Sequence, residues 1–400
     1  MTAESMLIAA FWIGCCGTLY AYFGFPALAA LMAAKRSEPV DVEWPETPAS
    51  VTVIIPAYNE EQSIGSKIRN VLATNYPRAL LDILVVSDAS TDGTNDIARS
   101  FAQEGVHLIV QERRRGKTAG LNRAMELARG ELVVFTDANA TYPADTIGTL
   151  VRHFCQPEIG LVTGYTKYAV TTDHEVAEAT NVYTSLERVI KTAESRWGCC
   201  VGADGAIFAM RRSLYRPLRE DDINDFVIPL NVIEQGHQCI FAADAFCLEH
   251  PGKDLESELR RQSRITNRTL RALWRHARLL NPFRFGLFSF FLFSHKVVRL
   301  LVPAFLTLSA LSLVVLAGAG AVYLIAGATV LVALAAGARL KPTARSSGSP
   351  LGRLLYFLNI FLTINLAVLQ GWWSFLCGRR DVVWQHDRTT RAGNSSEEAA

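Results

Sequence analysis

Short apolar runs alternate with longer amphipathic stretches through the first half of the polar segment, the rhythm of strand and helix taking turns. Val51-Thr52-Val53-Ile54-Ile55 reads as a short buried strand, and residues 82–86, 107–110 and 131–135 repeat the pattern. Between the first two, Ile64, Ile68, Val71 and Leu72 share one helical face. Asn59 is placed to cap that helix, with Glu60 and Glu61 in its first turn, where acids oppose the positive helix end. Further helices are expected near 94–103 and 117–129, the second ended by Gly130 as a C-terminal cap. Strands separated by helices imply parallel pairing through right-handed crossovers, a doubly wound α/β sheet. Ligands of such sheets bind beyond the carboxyl ends of the strands, so the loops after the first, second and fourth runs form the candidate site. Downstream the pattern is less regular: a long helix around 173–193, a glycine-rich stretch at 201–205, a helix over 225–235 and a basic helix over 256–278.

Three uncharged runs change the picture. Residues 6–34, 300–338 and 354–378 hold no charged side chain, and each exceeds the roughly 20 apolar residues that cross a bilayer core. A cleaved signal peptide fits the first run poorly, because Glu4 and no basic residue precedes it and the apolar stretch is too long. Residues 1–34 are read as an anchor. Lys35 and Arg36 follow it directly, so the positive-inside rule puts the large polar segment in the cytoplasm of a multi-pass protein of the cell (inner) membrane. The middle run is long enough for two spans. A third span over 354–378 would then leave Arg379, Arg380, Arg388 and Arg391 outside, so that run is expected to be re-entrant or the rule to fail there.

Composition adds limits. Half of the 400 residues are hydrophobic, enough for one sizeable domain beside membrane segments, and a net charge of +2 is too small to argue for nucleic acid. None of the eight cysteines has zinc-ligand spacing, and they read as small core residues in a reducing compartment. Residues 35–50, with three prolines, read as an extended linker, and 379–400 as a polar tail, disordered from 389.

Chemistry gathers in the loops. Asp88-Ala89-Ser90-Thr91-Asp92-Gly93-Thr94 and Thr136-Asp137-Ala138-Asn139 suit a nucleotide and a divalent cation, because hard cations bridge carboxylate and amide oxygens to phosphate. The same residue types also make turns and helix caps. Asp221-Asp222-Ile223-Asn224-Asp225 suits a general base, or the cap of the helix it precedes. Taken in order and spacing with Pro56-Ala57-Tyr58-Asn59-Glu60 and Gly116-Lys117-Thr118-Ala119-Gly120-Leu121-Asn122, these runs resemble the family 2 glycosyltransferases of the GT-A fold, over about residues 51–282.

That resemblance implies a nucleotide-sugar-binding half over 51–165, an acceptor half over 166–282, an interfacial helix over 283–299 and a membrane region of two to three spans over 300–378. It implies that Ala57, Tyr58, Glu60 and Asp92 line the nucleotide pocket, that Asp88 reads the base and that Lys117 lies near the diphosphate. Asp137 and Asn139 would hold Mg2+ or Mn2+ and the donor ribose. Asp225 matches the family's general base, with Asp222 as the fallback. The activity implied is inverting, metal-assisted transfer of a sugar from a nucleotide-sugar donor to a lipid-linked or growing polysaccharide acceptor at the lipid bilayer.

Two departures qualify it. Asn139 stands where the family usually has a second aspartate, so cation binding should be weaker and lean on the donor's phosphates. Arg260-Arg261-Gln262-Ser263-Arg264-Ile265 lies where processive members carry Gln-x-x-Arg-Trp, and both the glutamine and the tryptophan are missing. Arg264 is then either a neutraliser of the leaving diphosphate or part of a basic helix facing solvent and headgroups. A processive exopolysaccharide synthase that translocates its product and a catalytically silent glycan-export subunit are the alternatives. Asp204 either shapes the acceptor pocket or makes a turn. His295 and Lys296 are expected to face headgroups, and His250 to be structural.

Overall fold

The computed structural model describes residues 2–36, 44, 47–168, 174–249, 255–317 and 350–380. Its seven strands are β1 (Val51–Ala57), β2 (Leu81–Ser87), β3 (Val106–Val110), β4 (Leu132–Thr136), β5 (Ile159–Tyr168), β6 (Ile207–Arg211) and β7 (Gln238–Glu249). They form one sheet in the order β3-β2-β1-β4-β6-β5-β7. The first four pair in parallel, as helix-separated strands do. β6 runs antiparallel to both β4 and β5, while β5 and β7 are parallel, so the sheet is mixed. A division at residues 165/166 passes through β5.

Side chains alternate across this sheet with the period of two that a pleat imposes. Ile54 enters one core with Leu84, Phe135 and Phe208, whereas Val53 and Ile55 enter the other with Ile64, Ile68 and Ile147. The second core is roofed by α3 (Ile64–Leu72), α4 (Thr94–Ser100) and α6 (Thr146–Val151). On the first face lie α5 (Lys117–Leu127), α7 (His174–Ser195) and α8 (Asn224–Glu234), with α9 (Leu255–Arg275) following.

Two local expectations are corrected. α3 begins at Ile64, and Asn59 instead sits in a left-handed conformation (φ 52°), its Oδ1 accepting the Thr91 N–H at 2.9 Å. Gly130 caps no helix, since α5 ends at Leu127; its N–H donates to Thr52 Oγ1 at 2.9 Å, and a Cβ there would stand 2.5 Å from the Thr52 nitrogen. The glycine serves close approach. Of the cysteines, Cys200, Cys239 and Cys247 are buried as expected, but Cys16, Cys155 and Cys377 are exposed.

Three described helical stretches are long and apolar enough to cross a membrane: Ala3–Ala34, Leu287–Ala317 and Leu358–Leu376. The first comprises α1 (Ala3–Leu19), a π-helical turn Tyr20–Gly24 and α2 (Phe25–Ala34). After the short α10 (Pro282–Phe285), α11 (Leu287–Leu292), a second π-helical turn Phe293–Val297 and α12 (Val298–Ala317) form the second. The two lie side by side in opposite directions. Ser309 Oγ donates to the Phe11 carbonyl at 3.0 Å, and the Tyr20 and Ser294 hydroxyls meet at 2.8 Å.

Their inner ends belong to the domain. Phe25, Ala29, Ala33, Phe288, Phe291 and Leu292 share the core of Phe135, Phe208 and Val227. Burying each phenylalanine contributes about 1.5–3 kcal/mol, enough to dock both helices firmly. Within the stretch expected as an interfacial helix, residues 287–292 pack their aromatic face on the domain core and continue through the π-helical turn into α12. That leaves α12, about 30 Å at 1.5 Å per residue, as the lipid-length part.

The last helix, α13 (Pro350–Leu376), brings its carboxyl end to the domain. Phe361 packs on Tyr22, Trp372 Nε1 donates to the Leu300 carbonyl, and Asn267 on α9 donates to Ser374 Oγ (2.9 Å) and the Arg379 carbonyl (3.0 Å). Arg379 thus lies on the domain's side. The second half of the 300–338 run, His250 and the tail from 381 fall outside the described residues.

Candidate active site

The loops after β1 and β2 are stitched together. Asn59 N–H donates to Ser90 Oγ (3.1 Å), Glu60 N–H to Thr94 Oγ1 (2.7 Å) and Glu61 N–H to Asp92 Oδ2 (3.2 Å). Asp92 also accepts from the Thr94 amide and hydroxyl at the start of α4. Burial pushes its carboxyl up, but these hydrogen bonds outweigh it and hold the pKa below the usual value. Ala89 adopts φ 56°, a left-handed backbone that costs a residue with a Cβ about 1–2 kcal/mol. Such strain collects where loops are held for function. Ala57 is buried and accepts the Asp88 N–H at 2.9 Å, and Tyr58 lies under the Arg114 guanidinium, 3.7 Å from ring centroid to Cζ.

Asp88 is buried and anchors the next loop. Its carboxylate accepts from Gln111 Nε2 (2.8 Å), Arg115 N–H (2.8 Å) and Gly116 N–H (2.9 Å). Gly116, at φ 87°, turns the chain into α5 and sends Lys117 toward β4. Lys117 Nζ donates to Asp137 Oδ1 at 2.5 Å, just past the end of β4. Burial pushes the ammonium pKa down, but Asp137, aided by Asp225 and Glu249, raises it overall.

Carboxylates converge around this lysine. Asp204 accepts from Thr166 N–H (2.9 Å) and its hydroxyl (3.0 Å). Glu249, at the end of β7, has its pKa pushed up to about 8 by burial and by the charges of Asp137 and Asp204. Asp225, in the first turn of α8, is raised by burial, with Lys117 and Lys296 pulling the other way. Its Oδ2 would stand 3.1 Å from a Cβ on Gly205, so the carboxylate faces the glycine-rich stretch.

Asp222 is employed differently. It is buried, ion-paired to Arg275 on α9, and accepts the Arg219 N–H at 2.8 Å. Asp221 meets Arg275 at 3.4 Å, and its carbonyl accepts from Arg268 Nε at 3.2 Å. Arg264 is half-buried on α9, three residues after Arg261, whose charge acts on Glu249, and four before Arg268, so it shares their helix face.

Among the described residues no group of three His, Cys, Asp or Glu side chains is arranged to hold a metal on its own. Asp137 has one oxygen engaged by Lys117 and Asn139 is exposed, so the pair fits a cation that takes its remaining ligands from phosphate and water.

Sequence reasoning missed Glu249 and Lys296. Glu249 ends a strand that the pattern did not reveal. Lys296 and His295 do not face headgroups. His295 is buried between Glu194 (2.6 Å) and Glu187 (3.2 Å), and Lys296 Nζ lies 5.9 Å from the Phe226 ring centroid, beside Asp225. The usable signal was a His-Lys pair interrupting an apolar helix.

Residues 52–218 match the model of Glycosyl transferase family 2, and this stretch is a domain of that family. The whole chain is similar to the mannosyltransferase PcManGT of Pyrobaculum calidifontis, solved in complex with GDP-Man and Mn2+. Identity is 25% and the TM-score 0.71, over 94% of this chain and 99% of that one. The fold is GT-A, with its apolar helices included in the match. Among curated relatives, glycosyltransferase AglE of Haloferax volcanii is 27% identical over 34% of this chain and 46% of its own length. Dodecaprenyl-phosphate galacturonate synthase of Rhizobium johnstonii is 31% identical over 29% and 36%. Poly-beta-1,6-N-acetyl-D-glucosamine synthase of Staphylococcus aureus is 24% identical over 52% and 48%. The chain thus matches under half the length of each of these relatives.

Proposed function

We propose that this chain is a multi-pass glycosyltransferase of the cell (inner) membrane, moving a sugar from a nucleotide-sugar donor to a lipid-linked or growing glycan acceptor at the cytoplasmic face. The observation that carries the reading is the meeting of Asp137, Lys117 and Asp225 beyond the strand ends, beside helices of membrane-spanning length. In the reaction, an acceptor hydroxyl oxygen bonds to the anomeric carbon as that carbon's bond to the diphosphate breaks, with inversion. The electron pair leaves with the nucleoside diphosphate and the proton passes to Asp225, whose raised pKa suits uptake.

Lys117 and Arg264 would offset charge on the diphosphate. Asp88 and the Tyr58 to Glu60 loop would hold the nucleoside. Mg2+ or Mn2+, when bound at Asp137 and Asn139, supplies further neutralisation of the diphosphate. The Mn2+ and GDP-Man of the structural neighbour support both the donor class and the metal.

The test is the purified full chain with a panel of radiolabelled nucleotide sugars and membrane lipids. Single transfer predicts sugar-modified lipid without long product. A long polymer would favour a processive synthase, and no turnover with any donor would overturn the reading.

A further inference from the structure

A cation stands unassigned beside the proposed base. Lys296 lies in the π-helical turn Phe293–Val297, two residues before α12 leaves the domain. Its Nζ would be 3.8 Å from a Cβ on Gly202, three residues before the Gly205 position that faces Asp225 Oδ2. The ammonium therefore opens on the same glycine-lined strip as Asp225, where small residues keep side chains out of the way.

The two glutamates near Lys296 are committed elsewhere, and Asp225 acts on it through space without a direct ion pair. Glu194 takes His295 Nδ1 (2.6 Å) and the Val201 N–H (3.2 Å). Glu187 takes His295 Nε2 (3.2 Å) and the Arg299 guanidinium. Among the described residues no carboxylate forms an ion pair with Lys296. A half-buried ammonium that no carboxylate holds in a direct ion pair is costly, and an anion brought by a ligand offsets that cost. The same network of Glu187, Glu194, His295 and Arg299 clamps the turn to α7 and so fixes where Lys296 points.

We propose that Lys296 holds the phosphate of a phosphate-bearing lipid acceptor and so places a hydroxyl of the same head group beside Asp225. A lipid is favoured over a soluble anion because the site is built into the helix that continues as the lipid-length segment 298–317. The proposal rests on reading Asp225 as the base for sugar transfer and adds the acceptor class to it. The lipid hydroxyl supplies the attacking oxygen and gives its proton to Asp225, and the lipid phosphate neither forms nor breaks a bond.

Binding of decyl phosphate, and of the neutral decyl glucoside, to the full chain in detergent tests this by calorimetry, with nucleotide-sugar affinity measured alongside as a check on folding. Lys296→Met should weaken decyl phosphate by about 10-fold to 100-fold, the worth of a charge-assisted hydrogen bond, and leave decyl glucoside unchanged. Lys296→Arg should keep most of the phosphate affinity. Gly202→Val, which puts branches in front of Nζ, is a second variant and should also lose phosphate selectively.

Equal loss for both ligands, or undiminished phosphate binding in Lys296→Met, overturns the proposal. Inorganic phosphate binding as tightly as decyl phosphate would make this a free-anion site and overturn the lipid assignment. Because the readout is binding, failure of every nucleotide sugar to turn over would sink the transferase reading while the phosphate site is still decided by its own measurement.

Discussion

Asp222 and Asp225 stand three residues apart in one acidic run, and the fold gives them different partners. Asp222 is held by Arg275 and the Arg219 amide, whereas Asp225 faces Gly205 with its pKa raised by burial. Asp225→Asn is expected to cut acceptor-dependent nucleotide release by about 100-fold to 10,000-fold, the range for losing a general base, with little change in donor affinity. Asp222→Asn should instead lower stability by about 1–3 kcal/mol, because it takes the nearer carboxylate from a partly buried guanidinium and leaves it Asp221 alone at 3.4 Å. Urea unfolding read beside nucleotide release separates the two, and a stable, inactive Asp222→Asn enzyme would move the base. At the proposed cation site, Asn139→Asp adds a charge that the amide lacks, so half-maximal activity should need less Mn2+. Asp137→Ala should be inactive at any Mn2+ concentration, and an active Asp137→Ala enzyme would show the site to be elsewhere.

Elements carry the next set of consequences. Glu234 closes α8 onto the segment after α9 through His276 (2.9 Å) and Arg278. Burial pushes its carboxyl up, but hydrogen bonds from Arg278 and His276 outweigh that and hold it below its ordinary 4.5. A lowered folded pKa means stability that is present above about pH 4.5 and lost as pH falls through the folded value. Glu234→Gln should therefore be less stable than wild type near neutrality and converge with it in acid, as thermal melts across pH will read. The same scale explains what the sequence disclosed. β1 to β4 were legible because uninterrupted aliphatic runs fill both cores, and Asp88, Asp137 and Lys117 were placed by those strands. β5 was hidden by Gly160 and Gly164, which fall at its two register shifts; Gly164 is required because a Cβ would meet the Ala245 carbonyl at 2.4 Å. Without β5 to β7, Glu249 had no element to position it. Lys296 was misread because an aromatic helix ending in His-Lys looks the same whether it meets headgroups or a protein core.

For the whole molecule, the docking of helices onto one face of the sheet makes domain and membrane region a single unit. Phe25 is fully buried among Phe290, Phe291 and His295, so Phe25→Ala should destabilise the domain itself, by about 3–5 kcal/mol, and not merely loosen an anchor. The same packing relates the helix ends to one another. α13 meets α9 through Ser374 and Arg379, so Lys35, Arg36, Arg379 and Arg380 gather at the domain end of the helices, the arrangement that the positive-inside rule asks of the proposed cytoplasmic placement. Ala317 ends α12 away from the domain and the carboxyl end of α13 returns to it, so Arg379 and Arg380 are on the domain's side. Single cysteines introduced for Ser50 and for Arg380, in a chain whose exposed native cysteines are removed, should both resist an impermeant thiol reagent in intact cells and react once the cells are opened. Labelling of both from outside would put the domain on the far face, away from cytoplasmic nucleotide sugars. Labelling at position 380 alone would break the contact between α13 and α9 on which the shared sidedness depends.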